Sequence, residues 1–154
     1  MKRSEEIRRL NKLSAGEVKK LAGSHLSVMK NVDEIYNFFA GHMVSTIREN
    51  NLAGKSTAAI FPFGPVDQYP RFAEAVNRER LSLKESWFFF MDEYADFNGV
   101  EVPEDHPLSF RGRLFKIFAK IDRELLPDFS KIVFPSSDNI YHLKKMIDGI
   151  KLDV

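Results

Sequence analysis

"SWFFFMDEY", residues 86–94, sets the reading of the rest of the chain. Its apolar residues are consecutive rather than alternating, as expected for a parallel strand covered on both faces. It then runs without a break into Asp92, Glu93 and Tyr94. A carboxylate at the end of a buried strand is costly unless it is paired or faces a cleft. Asp92 therefore has two readings. It is a general base placed to reach a substrate proton, or a structural group that caps a loop or pairs with an arginine. Alternation sends Glu93 away from Asp92 and makes it the structural partner.

Two further short apolar segments flank this one. "STAAIFPF", residues 56–63, and "SKIVFP", residues 130–135, also read as buried strands, with the central one spanning 86–92. Helical spacing fills the gaps. Asp33 is a candidate N-cap for a helix whose face carries Ile35, Tyr36, Phe39, Met43 and Ile47. Tyr69, Phe72, Ala73 and Val76 share a second face. "HPLSFRGRLFKIFAKI" gives a third, with Pro107 near its start, His106 before it, and Leu114, Ile117, Phe118 and Ile121 inward. "SSDNIYHLKKMIDGI" gives a fourth, and "KLDV", residues 151–154, reads as the start of a fourth strand. Strand and helix alternate, which predicts an α/β fold: a three-layer, Rossmann-like parallel sheet with flanking helices. In such sheets ligands bind beyond the carboxyl ends of the strands. That edge would hold "PFGPVD", "MDEYADFNG" and "FPSSDN". Residues 1–32 read as a peripheral N-terminal arm.

Composition bounds the function. The chain has 154 residues, 44% hydrophobic and 29% charged, with a net charge of +1. Neither sign dominates, so neither nucleic acid nor a membrane surface is expected as a partner. No run approaches the ~20 apolar residues of a membrane span. With no cysteine, disulfides, thiol catalysis and Cys-ligated zinc are excluded, and a cytoplasmic location fits. "AGKST", residues 53–57, lacks the earlier glycine and the preceding strand of a phosphate loop, so it reads as a helix-to-strand turn. His25, His42, His106 and His142 show no metal spacing, and neither a metal nor a cofactor is expected.

"FFFMDEY" together with "EDHPLSFRG" resembles the glucosamine-6-phosphate deaminase/isomerase family, whose fold also serves 6-phosphogluconolactonases. The likeness runs from about Asp33 to the end. It implies an aldose–ketose isomerisation with deamination of an amino-sugar phosphate. Asp92 would be the base that moves a proton between C2 and C1. It further implies substrate contacts from Gly64, Pro65, Glu93, Tyr94, His106 and Ser109, with a sugar phosphate as the small-molecule partner. Two departures stand out. The family's first turn has two glycines and a hydroxyl before proline, whereas here the residues are Pro62, Phe63, Gly64 and Pro65. The family's glycine-rich segment carrying the ring-opening histidine follows the fourth strand, where this sequence stops. The expectation is thus an N-terminal half over 33–154, active only with the missing segment. Leu114, Phe118, Tyr141 and Ile147 would then face an incomplete layer, favouring a homo-oligomer or a chain that supplies the missing half. The alternatives are a non-catalytic ligand- or partner-binding module of the same fold, and a 6-phosphogluconolactonase-like hydrolase.

Overall fold

The computed structural model describes residues 2–150 and 152–153. The chain divides into two compact units, 1–32 and 33–154. The first holds two helices, α1 (Arg3–Leu10) and α2 (Ala15–Ala22), neither of which buries a residue. A capping box starts α2: the Ser14 hydroxyl accepts from the Glu17 N–H, and the Ser14 N–H donates to Glu17.

The second unit runs α3 (Val32–Leu52), β1 (Thr57–Phe61), α4 (Gln68–Glu79), β2 (Ser86–Phe90), α5 (Phe110–Phe118), β3 (Ile132–Val133) and α6 (Leu143–Asp148). The three strands form one parallel sheet in the order β1-β2-β3. Thr57 pairs with Ser86, Ala59 with Phe88 and Phe61 with Phe90; Phe88 in turn pairs with Ile132. These residues share one face, and α3, α4 and α5 pack there through Ile47, Phe72, Val76, Leu114 and Phe118. Phe72, Phe88 and Phe118 form an aromatic triangle with centroids 5.7–6.3 Å apart. The path β1→β2→β3 advances in one direction, and right-handed crossovers put its helices on one face.

The last described residues lie on the far side of β1. The Asp153 N–H donates to the Ala58 carbonyl at 2.8 Å, and its carboxylate accepts from the Ala58 N–H at 3.0 Å. On the opposite face of the sheet Phe89 and Val133 are buried.

Several boundaries differ from expectation. All three strands are shorter than their apolar runs, and β3 has two residues. Asp33 lies inside α3 and does not cap it; its carboxylate pairs with Arg71. The third helix starts at Phe110 rather than near Pro107, because Ser109, not His106, is its N-cap. The fourth starts at Leu143, because Ser136 and Asn139 bond each other's backbone and hold a turn. Lys151 and Val154 of the expected fourth strand fall outside the described residues, and Leu152 and Asp153 have no strand geometry. Leu114 and Phe118 do not face an open layer. They are core residues, whereas Tyr141 is exposed and Ile147 half-buried. "AGKST" is a helix-to-strand turn, with Gly54 at φ +64° and the Lys55 N–H donating to Asn50.

Candidate functional site

Each strand leads to a buried phenylalanine at the sheet's carboxyl edge. Phe63 just past β1, Phe90 of β2 and Phe134 just past β3 are all buried. Phe90 stacks on Phe134 at 4.2 Å, and Phe63 meets both edge-on at 6.0 and 6.2 Å. Tyr69 stacks on Phe63 at 5.3 Å and donates its hydroxyl to the Pro62 carbonyl at 2.5 Å. This aromatic floor fixes the three post-strand loops above it. Burial pushes the Tyr69 phenol well above its ordinary range; Gln68 pulls it partly back, and the negative charge of nearby Asp92 adds to the rise.

Asp92 is exposed in the loop two residues past β2, and among the described residues its carboxylate has no hydrogen-bond or ion-pair partner. Glu93 is used differently. Its carboxylate accepts from the Phe110 and Arg111 N–H groups, both at 2.8 Å, and from the Ser109 hydroxyl at 3.4 Å. It closes the N-terminus of α5, where a negative charge and free N–H groups attract each other. Ser109 is fully buried, and its oxygen accepts from the Gly112 N–H at 3.0 Å. That hydroxyl is therefore committed to the helix and is not open to a ligand. Tyr94 is exposed and lies edge-on to Phe110 at 4.9 Å. His106 is exposed, and its Nδ1 accepts from the Leu108 N–H at 3.2 Å. Gly64 and Pro65 are exposed in the turn after β1, with no positive φ at Gly64 and open space where a Cβ would stand. The Pro65 carbonyl accepts from Gln68 at 2.7 Å.

A cleft of about 180 Å³ opens between the loops after β2 and β3, lined by Glu93, Glu101, Ser136, Ser137 and Ile140 among others. Glu101 ties the two loops together by accepting from the Ser137 N–H at 2.9 Å and its hydroxyl at 3.0 Å. Those bonds hold the Glu101 carboxyl below its ordinary value of 4.5. Of the residues expected at a site, Glu93 alone lines this cleft. Arg113 was not singled out by its sequence. It is exposed on α5, its guanidinium lies 5.9 Å from the centre of Phe63, and among the described residues it pairs with no carboxylate. Asp67 stands at the N-cap of α4, where a bound anion would meet like charge. No group of three or more potential metal ligands occurs among the described residues.

The parallel open sheet with its helices is an α/β fold. One solved structure that matches it is a monomeric glucosamine-6-phosphate deaminase, described as a missing link of the NagB superfamily. It superposes with a TM-score of 0.59 at 16% identity, over 79% of this chain and 48% of that one. The present chain thus spans about half the length of that deaminase, and at this identity the likeness is one of fold. No family model and no curated protein matches the sequence.

Proposed function

We propose that the carboxyl edge of the sheet is a sugar-phosphate site at which Asp92 acts as a base on an open-chain amino-sugar phosphate. The observation that carries this is the contrast between neighbours: Glu93 is fully engaged on α5, whereas Asp92 is exposed without a partner at the strand-end position. In the proposed reaction the Asp92 carboxylate takes the proton from C2, leaving an enolamine, and returns it to C1. Water then adds to the resulting C2 imine and ammonia leaves. Arg113, whose guanidinium lies 5.9 Å from the Phe63 ring, would meet the phosphate, a role that Gly64 and Pro65 cannot fill by side chain. Units 1–32 and 33–154 would be an arm and the Asp92-bearing part of the sugar-phosphate domain.

The test is solvent deuterium incorporation at C2 of glucosamine 6-phosphate by the purified chain. Asp92→Asn should lower the exchange by 10²-fold or more, the usual range for loss of an acid–base group. Exchange that survives this substitution would refute the proposal. A second reading, a non-catalytic module of the same fold whose ligand carries no phosphate, is favoured by Asp67 at the N-terminus of α4 and by the lack of a hydroxyl in the turn. It predicts neither exchange nor sugar-phosphate binding in the parent chain.

A further inference from the structure

Away from the loop edge, an apolar slot of about 110 Å³ separates α3 from the face of β1 and β2. Met43 and Thr46 line it from the helix, Ala59 and Trp87 from the sheet. Two buried polar side chains also line it with an atom left unpaired: Gln68 through Oε1 and Ser86 through Oγ. They are 4% and 1% exposed, so bulk water does not serve them. An unpaired buried acceptor is a standing cost that a matched donor would relieve. The Gln68 amide cannot remedy this by flipping. Its nitrogen donates to the Pro65 carbonyl at 2.7 Å, and a flip would set oxygen against oxygen. Ser86 starts β2 opposite Thr57, while Gln68 lies beyond the end of β1. A strand of five residues separates the two polar atoms by roughly 13–16 Å.

We propose that this slot binds a small molecule with an apolar body the size of one ring and an O–H or N–H donor, which Gln68 Oε1 accepts. The volume limits the body to one ring at most, since an apolar cavity of about 150 Å³ in another protein takes up a single benzene. Of the two unpaired polar atoms in the wall, Gln68 Oε1 can only accept, which argues for a donor on the ligand. Because Pro65 borders the slot and is held by the same Gln68, an occupant sits directly below the turn after β1. The proposal does not depend on the sugar-phosphate reading.

Phenol and toluene are the probes, since they have nearly the same shape and differ in the donor. The Met43 methyl group, on the slot wall, reports occupancy through its NMR chemical shift. Phenol should bind about three- to tenfold more tightly than toluene, the worth of one net hydrogen bond. Gln68→Met, close in shape but without the acceptor, should bring phenol to the toluene level. Thr46→Phe, at a half-buried position on the slot wall, should abolish both signals and keeps the test decisive if Gln68→Met folds poorly. Equal affinities in the parent, no binding of either probe at millimolar concentration, or signals that survive Thr46→Phe would overturn the proposal.

Discussion

Asp92 and Glu93 are adjacent carboxylates with opposite structural duties. Asp92 is exposed and unpartnered among the described residues, so Asp92→Asn should leave stability within about 0.5 kcal/mol of the parent. Glu93 satisfies two N–H groups of α5, and an amide in its place turns one acceptor into a donor facing them. Glu93→Gln should cost about 1–2 kcal/mol. Urea unfolding of both variants measures this, and the reverse order would mean the roles are exchanged. Alternation along the strand already separated the two residues in sequence. The separation arises by another route, however, because β2 ends at Phe90 and both lie in the following loop. Arg113 and Gln68 were not legible at all. Arg113's place depends on Phe63, a residue on another element that sequence spacing does not bring near, and Gln68's on a local bond to the Pro65 carbonyl that leaves no periodic signal.

Among the elements, the centres of the strands were legible because three consecutive apolar runs have few other solutions. Their ends were not, because side-chain bonds to the backbone set them: Ser109 and Glu93 at α5, Ser136 and Asn139 before α6. Glycines in two helices make a paired test. A Cβ at Gly41 of α3 would meet nothing within 4 Å, so Gly41→Ala should stabilise by up to about 1 kcal/mol through helix propensity alone. A Cβ at Gly112 of α5 would lie 1.8 Å from the Glu104 carbonyl oxygen, a backbone atom that cannot swing aside. Gly112→Ala should therefore destabilise by about 1–3 kcal/mol or more, the clash outweighing propensity. Thermal melts of the two variants should move in opposite directions. The tie between loops carries a pH dependence. Glu101 has a lowered folded pKa, so its contribution is complete above the unfolded value and is lost as pH falls from about 4.5 through the lower folded value. The Ser137 amide resonance should shift over that interval, and Glu101→Gln should remove the shift.

At the scale of the molecule, the α/β class and the parallel sheet followed from the alternation of elements, and the NagB-type likeness agrees with them. The docking of Asp153 against the outer edge of β1 was not legible. Two hydrogen bonds between Asp153 and the Ala58 backbone fix it, with no apolar run to mark it. The turn after β1 lies at the carboxyl edge of the parallel sheet, the side of an open α/β sheet where ligands bind. The most direct measurement is an amide-resolved NMR titration of the chain with glucosamine 6-phosphate. Saturable shifts are expected at residues 63–66, at 92–94 and at Arg113, with the arm of residues 2–31 unmoved. Saturable shifts confined elsewhere, or none at millimolar sugar phosphate, would contradict a sugar-phosphate site at this edge.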